Sequence, residues 1–150
     1  MCCEKLPYFP KCFVCGQDNP IGMKMIFEYD AKSDSVRSSV TFSDDHVGYE
    51  NIVHGGFVTM VMDEAMAWMS IKKTDLMCLT STLDVKFSRA VKSGIEYKVE
   101  AKTTSINDER ILMTASVCDS DGQICAESRG NFVIMKGRRS SMMKEKMKTH

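Results

Sequence analysis

The stretch from Gly55 to about Ile71 constrains the fold more than any other part of the chain. Phe57, Val58, Met60, Val61, Met62, Ala65, Met66, Ala67, Trp68, Met69 and Ile71 cover every face of a helix. A helix that is apolar all round must be enclosed, so the rest of the chain has to supply a surface that wraps it. The remaining apolar residues are spaced for that task. Met23, Met25, Phe27 and Tyr29 alternate with polar neighbours, and Val36, Val40 and Phe42 recur two or four apart. After the helix come four more alternating runs, through Leu83–Phe87, Ile95–Ala101, Ile111–Val117 and Ile124–Ile134. The breaks at Ala31–Asp34, Lys92–Gly94, Asn107–Glu109 and Asp119–Gly122 are short and polar, which favours antiparallel hairpins over helical crossovers. The expected architecture is α+β: an antiparallel sheet of about five to six strands wrapped around one central apolar helix. Such a sheet leaves strand edges, and pairing with a second copy of the chain covers them.

At 150 residues the chain has the size of one domain. Residues 1–22, rich in Pro, Cys, Gly and Asn and without a period, read as an irregular N-terminal arm lying over a main domain at 23–135. In residues 136–150 the cations Lys136, Arg138, Arg139, Lys144, Lys146 and Lys148 face Glu145 alone, and a solvated, flexible basic tail is expected. Lys plus Arg equals Asp plus Glu at 20 each, so the charge balance carries no nucleic-acid footprint. No apolar run is long enough to span a bilayer. Seven cysteines, an odd number, and no basic-then-apolar leader lead us to expect a reduced, cytoplasmic protein. Thirteen methionines suit an adaptable apolar channel and irregular core filling equally.

Chemistry enters through the only charges inside the apolar helix, Asp63 and Glu64. Holding a carboxylate out of water costs several kcal/mol unless something compensates. The plain explanations are that one side chain reaches solvent or that each is held in a structural hydrogen bond. The run Val53-His54-Gly55-Gly56 favours a functional one, because unpaired N–H groups at a glycine-capped helix start can hold a developing oxyanion. Asp63 follows Gly56 by seven residues, on the same face but roughly 10 Å along the axis. One subunit cannot easily serve both roles, whereas two helices packed antiparallel across a dimer interface would share two equivalent sites.

The run Gly48-Tyr49-Glu50-Asn51-Ile52-Val53-His54-Gly55-Gly56 with Asp63-Glu64-Ala65 resembles the helix signature of hotdog-fold acyl-CoA thioesterases of the PaaI-like, phenylacetyl-CoA type. The arm residues Cys12–Gly16 and Asn19–Met23, and the strand Thr80–Arg89, are similar to the same family. This resemblance implies a hotdog thioesterase domain at 23–135 that hydrolyses acyl-CoA or acyl-carrier thioesters as a homodimer or a dimer of dimers. It makes Asp63 the general base or nucleophile, and the Gly55 N–H, with Gly56, the carbonyl-polarising donor. His54 would shape the turn or assist at the carbonyl, and Thr80 would position water or the carboxylate, with Ser81 or Thr82 as alternatives. On the substrate side stand Asn51, Phe57, Ser81, Lys86 and Arg89, the last two toward CoA phosphates, though ordinary solvated charges explain them as well. Some family members carry Asn where this chain has Gly48, which weakens a role for Asn51.

No cofactor is expected. Cys12 and Cys15 have metal-ligand spacing, but zinc needs further ligands, and there is no second Cys-x-x-Cys or His pair. Cys2, Cys3 or His46 would have to complete the set, so buried thiols without a metal are the expectation. A hydratase reading of Gly16–Gly22 fails because its last position is Gly22 where that chemistry needs a histidine. The remaining alternative is a non-catalytic acyl-CoA-binding sensor or carrier partner, against which the retained Asp63 argues.

Overall fold

The alternating runs become one antiparallel sheet in the computed structural model, which describes residues 3–150; Cys2 lies outside the described residues. In chain order the elements are β1 (Cys3–Lys5), β2 (Glu28–Asp30), β3 (Ser35–Thr41), β4 (Val47–Tyr49), β5 (Ile52–Val53), α1 (Gly55–Thr74), β6 (Cys78–Phe87), β7 (Glu96–Ile106), β8 (Arg110–Cys118), β9 (Ile124–Ile134) and α2 (Arg138–Lys144). Seven strands form the sheet in the order β1-β2-β3-β7-β8-β9-β6, and β4 with β5 makes a small ribbon just ahead of α1. A long sheet around one long helix is the expected hotdog fold, with seven strands in place of five to six.

The extra strand comes from the arm, where Cys3–Lys5 pairs with Glu28–Asp30. The stretch from Met23 to Phe27, read from its alternation as a strand, joins the sheet only from Glu28 onward. Its backbone is engaged elsewhere: the Met23 and Met25 N–H groups donate to Phe13 and Val14 carbonyls at 2.7 and 2.8 Å. Met25 and Phe27 remain buried, so alternation reported burial correctly and pairing partner wrongly.

Helix α1 buries Val58, Val61, Met62, Ala65, Met66, Trp68 and Met69 against sheet residues such as Val36, Val99, Ile111, Met113 and Phe132. Full burial of each large apolar side chain is worth about 1.5–3 kcal/mol, which is what holds the helix in place. Close approach depends on Gly130 in β9, where a Cβ would lie 2.8 Å from both Met66 Sδ and Phe132 Cε1. The helix stops at Asp75, which takes a left-handed conformation (φ 56°) and returns its N–H to the Ile71 carbonyl.

The basic tail, expected to be solvated, is docked. The Ser140 hydroxyl accepts from the Met77 N–H at 2.9 Å, and Lys148 and Tyr8 exchange backbone bonds of 2.8 and 2.9 Å. Its cations find acids that a charge count does not locate: Lys144 meets Asp75 at the end of α1, and Lys148 meets Asp18 at 3.1 Å.

One irregularity decides how β6 faces the helix. Its register against β9 shifts between Thr80 and Thr82, paired with Phe132 and Asn131, which leaves Ser81 unopposed. Leu83 and Val85 pack toward the core, so strict alternation would turn Ser81 inward and Thr80 outward. The extra residue reverses that order and aims Thr80 at α1.

Candidate active site

Asp63 is half-buried on the α1 face turned toward β6, and the Thr80 hydroxyl donates to its Oδ1 at 2.7 Å. No cation pairs with it among the described residues. Burial therefore pushes its carboxyl above the ordinary aspartate value, and the Thr80 bond opposes that rise only in part. Beside it, β6 is the last strand of the sheet, with one edge unpaired. Leu79 and Phe87 on this strand are 50% and 53% exposed.

At the other end of the site, His54 caps α1 by accepting the Gly56 N–H on Nδ1 at 2.8 Å. This fixes His54 as the residue that shapes the turn, and it corrects the expectation for Gly56, whose donor is engaged. The Gly55 N–H, in the first turn where no intrahelical acceptor exists, is the donor left. A Cβ on Gly55 would meet the Phe87 ring at 3.2 Å, so glycine lets that ring lie over the helix mouth. A cleft of about 410 Å³ opens here, lined by His54, Gly55, Val58, Phe87 and Arg89 among others. Asp63 is absent from its lining, as eight residues of helix, about 12 Å, predict. Within one chain the two halves of the chemistry stay apart.

The other expected residues divide. Arg89 reaches the cleft, with Nη2 donating to Gln123 Oε1 at 3.3 Å. Lys86 does not: it pairs in register with Glu127 on the outer face of the sheet, opposite α1, because Val85 and Phe87 take the inner face. Ser81 is the bulge residue. Asn51 sits at φ 62° in the β4–β5 turn, where its carbonyl accepts from the Ser93 N–H, so its place is set by backbone geometry. Phe57 packs edge-on to His46, 4.8 Å between centroids, and near Phe13 at 6.3 Å, on the arm side of α1. Phe87 was missed; its seven-residue distance from Thr80 carries no signal until the strand is bent over Gly55. Two wider hollows, about 950 and 780 Å³, share Glu100 and Ser116 and contain none of the catalytic candidates.

Glu64 faces the arm. Its Oε1 accepts from Trp68 Nε1 at 3.1 Å and from the Cys12 thiol at 3.4 Å. Burial, then the charge of Cys12, pushes its carboxyl up to about 8. Cys12 is held down to about 5, first by a hydrogen bond from Cys15 and further by backbone N–H groups of Cys15 and Val14, while Cys15 is pushed up as the donor.

Comparison with known proteins agrees with this architecture. The thioesterase superfamily model matches residues 50–126, about half of the chain, and the chain belongs to that superfamily. An uncharacterized protein of Schizosaccharomyces pombe is 32% identical over 94 residues, 59% of this chain and 54% of that protein. The chain thus spans about half the length of the curated relative it matches. Among solved structures, a thioesterase superfamily protein superposes with a TM-score of 0.75 at 22% identity, over 83% of this chain and 60% of that one. The PaaI protein of the Escherichia coli phenylacetic acid degradation operon gives 0.65 at 16% identity, over 69% and 75%. A Streptococcus mutans UA159 protein bound to acetyl CoA gives 0.66 at 15% identity, over 70% and 84%. These likenesses bear out the hotdog fold, and the family match bears out the thioesterase resemblance.

Proposed function

We propose that the chain hydrolyses acyl-CoA-type thioesters in a homodimer whose two sites each combine Asp63 of one subunit with the Gly55 N–H of the other. The observation that carries this reading is a half-buried carboxylate without a counter-charge, beside the unpaired edge of β6. A lone buried acid of this kind is costly in a purely structural role and useful in a site completed by a second subunit. Membership of the thioesterase superfamily supports the reaction class, and the acetyl CoA held by the similarly folded Streptococcus protein supports the substrate class.

In this reading the thioester carbonyl rests against the partner subunit's Gly55, whose N–H stabilises the oxyanion as the carbonyl carbon becomes tetrahedral. Asp63, held by Thr80, either draws a proton from the attacking water or attacks the carbon itself. Collapse of the intermediate breaks the C–S bond; in the first route the thiolate takes the proton that Asp63 drew from water, and in the second it takes one from solvent while water hydrolyses the acyl–Asp63 anhydride to the free acid. Arg89, lining the same cleft as Gly55, offers charge to the CoA phosphates. Exposed Leu79 and Phe87 would be covered in the dimer.

The test is thioester hydrolysis by the full chain over a panel of acyl-CoAs, read as free CoA by chromatography because the chain's own thiols react with dyes. Asp63→Asn should abolish turnover with little change in binding. Gly55→Pro should do the same, since proline is tolerated at the first helical position and removes the donor, with the half-exposed Phe87 ring giving way by a few tenths of an ångström to the added Cβ. Mixing the two inactive variants should restore activity, because each mixed dimer holds one intact pair. Failure of the mixture to recover, with mixed dimers demonstrably formed, would end the shared-site reading. Tight acyl-CoA binding without release of CoA from any substrate would favour a non-catalytic sensor.

A further inference from the structure

The arm brings to α1 a group of side chains that hydrolysis does not use. Cys12 and Cys15 of the arm and Glu64 of α1 place their Sγ, Sγ and carboxylate oxygen atoms within 4.8 Å of one another. Glu64 stands 52 residues from Cys12 in sequence, and the two meet only because the arm is laid along the helix.

The separation fits a metal ion. Zinc–sulfur and zinc–oxygen bonds of about 2.3 and 2.1 Å at a tetrahedral angle put the two ligand atoms about 3.6 Å apart; Cys12 Sγ and Glu64 Oε1 lie 3.4 Å apart. The loop that presents the thiols is shaped for the purpose. Gly16 follows Cys15 directly, and its N–H closes the turn onto the Cys12 carbonyl at 2.9 Å. A Cβ at Gly16 would stand 2.3 Å from that same carbonyl oxygen, so no larger residue fits the turn. Trp68 Nε1 donates at 3.1 Å to the same Glu64 oxygen that faces Cys12, and so orients the carboxylate as an outer partner fixes a ligand. A cleft of about 440 Å³, lined by Cys12, Glu64, Trp68 and Ile71 among others, opens beside the group and gives water access to a fourth coordination position. Lys11 and Lys146 line the same cleft and offset the excess negative charge of two thiolates and a carboxylate around a dication.

We propose that Cys12, Cys15 and Glu64 bind a thiophilic divalent cation of the zinc class, with water as fourth ligand, and that this ion ties the arm to the central helix. Thiolates select zinc over magnesium or calcium. On binding, the proton shared by Cys12 and Glu64 and the proton on Cys15 leave to solvent, so affinity rises with pH. The site lies on the face of α1 away from Thr80, and the proposal stands whether or not the chain hydrolyses thioesters.

The test uses the full chain, reduced and stripped of metal with a chelator, titrated with cobalt(II) and then zinc. Thiolate-to-cobalt charge-transfer absorption should appear, saturate at one ion per chain and disappear as zinc displaces cobalt. Cys12→Ser and Cys15→Ser should abolish the absorption, while Cys125→Ser, remote from the group, should retain it. If the cysteine variants unfold, Glu64→Gln keeps the volume of the side chain and should weaken zinc by more than the roughly 10- to 100-fold that loss of an outer partner costs. Zinc should also raise the Tm of the unsubstituted chain more than that of Glu64→Gln. A folded, reduced chain without the absorption band would overturn the proposal, as would a band undiminished in folded Cys12→Ser. So would the finding that Cys12 and Cys15 join in a disulfide and take up no ion even after reduction.

Discussion

Asp63 and Glu64 are consecutive on α1, yet a 100° step around the helix gives them different neighbours. Asp63 looks toward β6, a strand with one free edge, and is held by a single hydroxyl. Glu64 looks toward the arm and is enclosed by two thiols and an indole. Burial raises both carboxyls above their ordinary values. What separates them is the opposite wall: an open edge leaves room for a substrate and a second subunit, whereas soft donors closing on a carboxylate leave room for an ion.

The sharpest way to break this contrast is to neutralise each acid in turn. Asp63→Asn should lower kcat by about 10²–10⁴-fold, the usual span for loss of an acid–base group, while Glu64→Gln should lower it by less than about 10-fold, comparable with losing a supporting contact. Equal losses would mean that the two walls serve one site. On the ion side, Trp68→Phe keeps a ring but removes the donor to Glu64; cobalt affinity should fall by about 10- to 100-fold with the pH profile of hydrolysis unmoved. On the catalytic side, Thr80→Val removes the bond that holds the Asp63 value down, so the acid limb of kcat should move to higher pH, and an unmoved limb would separate Thr80 from the active carboxylate.

Stability should report the same difference more gently. A raised folded-state value means that the folded chain favours protonated Asp63, a contribution present below the unfolded value and lost as pH rises through the folded one. The Tm should therefore decline over that window, and Asp63→Asn should flatten the decline. The smallest effect belongs to Lys86. Lys86→Ala, on the outer face beside Glu127, should leave KM for an acyl-CoA unchanged where Arg89→Ala raises it.

The parts of this molecule legible in the sequence are those written as period or as contiguous motif. An all-round apolar segment announced α1, alternation announced β3 and β6 to β9, and a seven-residue step put Asp63 on the face of Gly56. What escaped was contact between distant segments. Glu64 was visible as an expensive charge, but its meeting with Cys12 depends on how the arm drapes, which no spacing encodes. The engagement of Gly56 by His54 turns on one side-chain rotamer. Lys86 was assigned from its neighbourhood in sequence, and strand alternation sends it to the other side of the sheet. Residues 138–144 form a helix whose Ser140 is buried, and Met147 beyond it packs partly buried against the core, facts invisible in a run of cations.

The unopposed residue at Ser81 has a consequence for how variation reaches this protein. Ser81 is surplus to the pairing, so exchanging its side chain or deleting its codon leaves Thr80 opposite Phe132: without it Leu83, Thr82, Thr80 and Leu79 alternate in an unbroken strand, with the hydroxyl still facing the helix. Point-substitution libraries would score the position as permissive. Single-residue deletions would find it among the more forgiving positions of β6.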